Sequence, residues 1–181
     1  MRSLGANSGT YNSATDGIVV ADNTGEVRRV PLPGELIFGR KTSAESRAAA
    51  LGPLAADAEM TVTTGAGGEF EIEVYIQYSG DVFPASALDF SIVSATATSI
   101  SYGVVSSGQA VSPSNVDGSG AVISGIAASN PPANRQTILV KGYIALPAGA
   151  TVTLHWGDGA VTGGENVTLH TNSYIKLTRN I

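Results

Sequence analysis

Cysteine is absent from this chain, which removes disulfides, thiol nucleophiles and thiolate metal sites; the fold is expected to be held without covalent cross-links. Charge is scarce as well. Asp, Glu, Lys and Arg make up 14% of residues, against roughly 25% in an ordinary soluble domain. The net charge is −5, so long-range attraction to phosphate is missing, and neither nucleic acid nor an anionic membrane is expected as a partner. No long apolar run occurs: the longest uncharged stretch, Phe90 to Val116, is studded with Ser and Thr, and the opening residues Met1 to Gly5 lead into a polar run without the apolar region of a secretory signal. Imidazole is limited to His155 and His170, and indole to Trp156.

What remains is a chain rich in small and β-branched residues, 43% hydrophobic over 181 residues, enough for one domain with an attached segment. Charge is unevenly placed, with 18 charged side chains in residues 1–89 and seven in residues 90–181. The poorly charged half is weakly defended against association. Residues 1–41 carry turn signals at Asn7-Ser8-Gly9, Thr15-Asp16-Gly17, Asn23-Thr24-Gly25 and Pro31-Leu32-Pro33-Gly34, leaving room only for brief strands at Gly17 to Ala21 and Glu26 to Val30. Such a segment cannot bury a core alone. It reads as an extended arm, with a reach of about 130 Å if fully drawn out. Thr42-Ser43-Ala44-Glu45 has the capping-box pattern, Ala48 to Leu51 continue it and Gly52-Pro53 supplies a stop, so one short helix is expected in a linker spanning residues 42–58.

Beyond Glu59 the period changes to two. Phe70, Ile72, Val74, Ile76 and Tyr78 alternate with Glu69, Glu71, Glu73, Tyr75 and Gln77, which makes a strand with one buried and one wet, acidic face. Further strands are expected at Met60 to Thr64, Leu88 to Val93, Thr98 to Val105, Ala121 to Ile126, Gln136 to Leu146, Thr151 to Trp156, Asn166 to His170 and Tyr174 to Thr178. Eight or nine short strands without helical periodicity predict an all-β fold for residues 59–181, an antiparallel jelly-roll sandwich. In Gln136 to Leu146 both faces are apolar: Ile138, Val140, Ile144 and Leu146 suit the interior, whereas Leu139 and Tyr143 face a partner or the chain's own arm.

Catalytic constellations are thin. His155 and His170 fall on the polar phase of their strands, Gly118-Ser119-Gly120 lacks the spacing of a nucleophile elbow, and Glu69, Glu71 and Glu73 share a face that offers no sugar platform beyond Tyr75. Asp158 and Glu165 flank a glycine-rich turn, where a Ca²⁺ site is the weaker alternative; neither EF-hand nor paired-histidine spacing is present, so no metal or other cofactor is expected. Gly65 to Gly68 separates two strands and is a hairpin turn rather than a phosphate cradle.

Three stretches carry a resemblance: Asn134-Arg135-Gln136-Thr137-Ile138-Leu139-Val140-Lys141-Gly142-Tyr143-Ile144, Gly149-Ala150-Thr151-Val152-Thr153-Leu154-His155-Trp156, and Asn172-Ser173-Tyr174-Ile175-Lys176-Leu177-Thr178-Arg179. Their pattern of strands and turns resembles the C-terminal, tumour-necrosis-factor-like jelly roll of bacteriophage decoration proteins and fibre tips. Gly39 to Gly52, ending in R-x-x-A-L-G, is similar to the Ala-rich link that precedes such knobs. The resemblance implies a homotrimer, with Leu139, Tyr143, His155 and Tyr174 at the trimer interface and an N-terminal segment attached to the virion. On this reading the chain is a non-enzymatic capsid decoration (cement) protein on the capsid surface whose partner is the major capsid protein. Arg28, Arg29, Arg40, Lys41 and Arg47 would supply polar anchoring, and Leu32, Leu36, Ile37 and Phe38 would fill grooves on the shell or else dock on the parent knob. The rival reading is a tail- or head-fibre tip that recognises host glycans, which needs exposed aromatics, Tyr78 and Tyr102 being the candidates.

Overall fold

The computed structural model describes residues 17–21 and 27–31 by their backbone, and residues 36–48, 54–81, 86–107, 115–128, 135–159 and 165–180. Fourteen strands occur in them and no helix. β1 (Gly17–Ala21) and β2 (Val27–Pro31) pair with each other, Gly17 opposite Pro31. The other twelve are β3 (Leu36–Arg40), β4 (Glu45–Ala48), β5 (Ala55–Thr63), β6 (Gly68–Gly80), β7 (Ala87–Val93), β8 (Ser99–Ser107), β9 (Asn115–Asp117), β10 (Val122–Ala127), β11 (Gln136–Leu146), β12 (Thr151–Asp158), β13 (Asn166–Leu169) and β14 (Tyr174–Arg179).

Their pairing is nested. β8 pairs with β9, β7 with β10, β6 with β11, β5 with β12, β4 with β13 and β3 with β14, all antiparallel, like one long hairpin. That hairpin is rolled up by the lateral pairs β6·β14, β6·β13, β8·β11 and β7·β12. Two sheets result, a larger one in the order β3-β14-β6-β11-β8-β9 with β13 and β4 continuing beside β6, and a smaller one in the order β10-β7-β12-β5. This is the antiparallel jelly-roll sandwich that the alternation predicts.

The core lies between the inner faces. Phe70, Ile72, Val74, Ile76 and Tyr78 of β6, with Ile138, Val140 and Ile144 of β11 and Ile175 and Leu177 of β14, meet Met60, Val62, Leu88, Phe90, Ile92, Val152, Leu154 and Trp156 of the smaller sheet. Each such side chain contributes about 1.5–3 kcal/mol by leaving water. Tyrosines tie the layers where a polar tip must be buried: the Tyr102 hydroxyl accepts from Ile92 N–H at 3.0 Å and donates to the Ala121 carbonyl. Gly142 is required by close approach of β8, since a Cβ there would sit 2.1 Å from the Ser101 carbonyl oxygen.

The short helix expected from Thr42 onward is not formed. Glu45–Ala48 is strand β4, paired with β13, while residues 49–53 lie outside the described residues. The capping-box residues have other partners: Thr42 and Ser43 donate backbone and hydroxyl hydrogens to the Glu59 carboxylate, and Glu45 accepts from Lys41 and Arg47. Tertiary pairing overrides local helix propensity here. The sandwich also takes in β3 and the N-terminal half of β5, so Leu36 to Lys41, read from sequence as the end of the arm, belong to the sheet.

Candidate interaction surface

Because side chains alternate along each strand, the register of the larger sheet decides which residues share its outward face. Three rows cross it. In one, Arg40, Tyr174, Tyr75 and Leu139 lie side by side; in the next, Phe38, Lys176, Glu73 and Lys141; in the third, Leu36, Thr178, Glu71 and Tyr143. The Tyr75 and Tyr174 rings stack with centroids 5.5 Å apart, and Phe38 packs against Tyr174 at 5.3 Å. Leu36 is 65% exposed, Phe38 53% and Tyr143 65%. Isolated exposed apolar residues are ordinary, whereas Phe38, Tyr174 and Tyr75 form one run of ring contacts on this face, which makes it the candidate contact surface.

Two lysines and two glutamates pair on this face. Glu73 accepts from Tyr174 Oη at 2.8 Å and Lys176 Nζ at 3.0 Å, and its other oxygen lies 3.3 Å from Lys141 Nζ; Lys141 also lies 3.9 Å from Glu71. Burial alone would raise the Glu73 pKa, but Lys176, Tyr174 and Lys141 outweigh it and hold the carboxyl below its ordinary range. Burial, then the neighbouring Glu73, pushes the Tyr174 phenol up to about 12, so it stays a donor at neutral pH. These half-exposed ion pairs contribute little stability. They set two lysines against two glutamates, while Arg40 on the same face is bonded to the neutral Asn172 side chain.

Three of the residues expected at a trimer interface, Leu139, Tyr143 and Tyr174, therefore fall on one surface. His155 does not join them. It lies on β12, half-buried in the other sheet, with Nδ1 3.3 Å from the Leu54 carbonyl. Tyr75, Glu73 and Lys176 complete the surface, although the sequence did not mark them as interface residues; the alternation places Tyr75 on the wet face of β6, but only the pairing with β14 reveals its neighbours.

The residues expected to grip a shell divide by location. Arg28 and Arg29 lie in β2, described by its backbone, and Leu32 lies outside the described residues. Leu36, Phe38 and Arg40 belong to the outward face just described, Arg40 donating to the Asn172 side-chain carbonyl, while Ile37 points inward against the core. Lys41 and Arg47 are spent within the chain. Lys41 is 1% exposed, and its Nζ lies 2.7 Å from Asp57 Oδ2, 2.9 Å from Glu45 Oε2 and 3.6 Å from Glu59 Oε2. Asp57 also accepts from Trp156 Nε1 at 2.8 Å and, on Oδ1, from the N–H groups of Glu59 and Met60 at 3.0 and 3.1 Å. Arg47 stacks over the Trp156 ring at 4.0 Å, donates to the carbonyls of Trp156 and Ala56, and pairs with Glu45 at 2.8 Å. This cluster joins β3 and β4 of one sheet to β5 and β12 of the other.

His170 Nε2 meets Ser79 Oγ at 2.8 Å, but both are buried, and burial, then the charge of Arg135, lowers the imidazole pKa. Among the described residues no group of three or more His, Asp or Glu is placed to hold a metal ion. A dent of about 130 Å³ beside Tyr143, lined by Glu69, Ser99, Ile144 and Ala145, is smaller than ordinary ligand pockets of roughly 300–1,000 Å³. Tyr78 and Tyr102, the expected glycan-reading aromatics of a fibre tip, are both buried in the core.

No family model matches the chain, and no curated protein does. Among solved structures it is similar to the Eiger TNF of S. frugiperda at 11% identity and a TM-score of 0.45, over 83% of this chain and 94% of that one. It is also similar to the baseplate tripod of bacteriophage Tuc2009 at 17% identity and a TM-score of 0.30, over 94% and 84%. Infectious bursal disease virus Gt strain follows at 11% identity and a TM-score of 0.24, over 92% and 43%. Likenesses this distant bear on neither the partner nor the activity of the chain.

Proposed function

We propose that the chain is a virion structural protein of a bacteriophage: a homotrimeric capsid decoration (cement) protein without catalytic activity. The outward face of the larger sheet packs between copies, and the residues ahead of Leu36 grip the major capsid protein. The observation that carries this reading is the outward face where Phe38, Tyr75, Tyr174, Leu139 and Tyr143 gather on adjacent strands, with Phe38 and Tyr143 more than half exposed and the other three half-buried. The sequence resemblance to phage knobs supports the virion setting. Burial of Lys41 and the engagement of Arg47 shift the gripping role toward Arg28, Arg29 and Leu32. Three copies would present three arms, so individually weak contacts add through effective concentration.

The test uses the purified full chain and a variant lacking residues 1–35. Native mass measurement of both is expected to give a trimer, and sedimentation with capsids stripped of the protein is expected to retain the full chain and lose the variant. A monomeric full chain, or equal binding by the shortened one, overturns the proposal.

A further inference from the structure

The buried cluster at the root of β3 has a geometry that its packing role does not require. A primary amine and a carboxyl, with side chains 1% and 0% exposed, sit 2.7 Å apart. A second carboxylate lies 2.9 Å from the same amine. Two backbone N–H groups converge on the carboxyl oxygen that does not face the amine. An amine nucleophile, a neighbouring base and a pair of donors for a developing oxyanion are the parts that acyl transfer needs. The acyl group is here part of the same chain.

We propose that Lys41 and Asp57 join in an intramolecular isopeptide bond, with Glu45 as the proton carrier. Glu45 takes one proton from the Lys41 ammonium. The freed amine attacks Asp57 Cγ and forms the C–N bond, while negative charge gathers on Oδ1 between the N–H groups of Glu59 and Met60. The amine gives up a second proton, both protons reach Oδ2, the C–Oδ2 bond breaks, and one water leaves. Ammonium and carboxylate become amide and water, with no oxidant, reductant or activating group required. Trp156 Nε1–H already donates to Oδ2, the departing oxygen. Glu45 is part-exposed, which opens a path for the released water.

Burial is the largest single influence on both Lys41 and Asp57 and favours the neutral amine and acid that react; their mutual hydrogen bond and charge outweigh it and keep the pair mostly ionised. The bond is therefore a slow, single maturation event after folding. Fixed geometry compensates in part, because reactants held in contact behave as if at very high concentration. Once formed, the amide fastens the loop after β3 to β5, so tension on the preceding arm is borne by covalent bonds.

Intact-mass measurement of the folded full chain over time at neutral pH tests this directly. The expected result is a mass lower than the sequence mass by one water, with a tryptic species in which Lys41 is uncut and the Lys41–Arg47 peptide stays joined to the peptide that begins at Ala48 and holds Asp57. Lys41→Arg and Asp57→Ala are expected at full mass. Asp57→Asn is expected to lose ammonia and arrive at the same final mass as the matured native chain. Glu45→Gln is expected to slow the loss by about 10²-fold or more. Folded native protein that keeps its full mass, with normal cleavage after Lys41, overturns the proposal. So does a water loss confined to the Asp57 peptide, which is a succinimide.

Discussion

Replacing Tyr143 by serine separates a role in self-association from a role in the fold. Tyr143 is 65% exposed and lies between Glu71 and Ser101 on the outward face, so a single copy loses little without it, within about ±0.5 kcal/mol. An aromatic side chain offers about 150–250 Å² for burial; at 65% exposure, about 100–160 Å² is still available to a neighbouring copy. At about 25 cal/mol per Å² this contributes about 2.5–4 kcal/mol per copy, which is a factor of about 10²–10³ in each association step. Sedimentation velocity over a concentration series is expected to show Tyr143→Ser dissociating at concentrations where the native chain stays assembled, while its melting temperature at high dilution is unchanged. If both proteins dissociate at the same concentration with the fold intact, Tyr143 is not at the contact and the outward face is not the interface.

Measured against native chain of full mass, in which Lys41 and Asp57 are still an ion pair, Lys41→Met strands a buried carboxylate beside Trp156 and is expected to cost about 3–5 kcal/mol, seen as a fall of about 6–20 °C in the melting temperature, with Trp156 fluorescence as the probe. Gly142→Ala forces a methyl group against the Ser101 carbonyl and Tyr102 and is expected to cost at least about 1–3 kcal/mol in urea unfolding; a stability equal to the native chain would show that β8 yields freely. Hydrogen bonds from Thr42 and Ser43 hold the Glu59 carboxyl at about 2, below its ordinary value of 4.5. A depressed folded-state pKa means that its stabilisation is complete above 4.5 and is lost as pH falls toward about 2. Glu59→Gln is accordingly expected to flatten the acid limb of a stability-against-pH curve in that window and to leave the slope near neutrality unchanged.

Alternation made the sandwich legible in the sequence. Phe70 to Tyr78 and Gln136 to Leu146 each declare an inner and an outer set, and both sets face as expected. The outward direction of Leu139 and Tyr143 was legible for the same reason, both being apolar or aromatic on a phase that the core does not use, whereas Tyr174 came only with the resemblance. Period alone cannot say which strands are neighbours, so Tyr75 stood as a lone ring on a wet face until β14 brought Tyr174 beside it. The misreading at Thr42 to Glu45 has a comparable cause. A capping box is a local pattern, and the carboxylate that Thr42 and Ser43 use belongs to Glu59, on a strand the local pattern does not include. His155 falls on the other sheet from Leu139, Tyr143 and Tyr174 because a polar phase identifies an outward direction without telling which of two sheets faces that way.

The nested order of pairing sets a timetable for biosynthesis. β8 and β9 can close on each other early, whereas β3 finds its hydrogen-bonding partner only in β14, at the far end of the series. Contacts between such distant parts of a chain form late. A ribosome must therefore deliver β14 before β3 can be seated, so the larger sheet gains its outer edge only when the last strand has arrived.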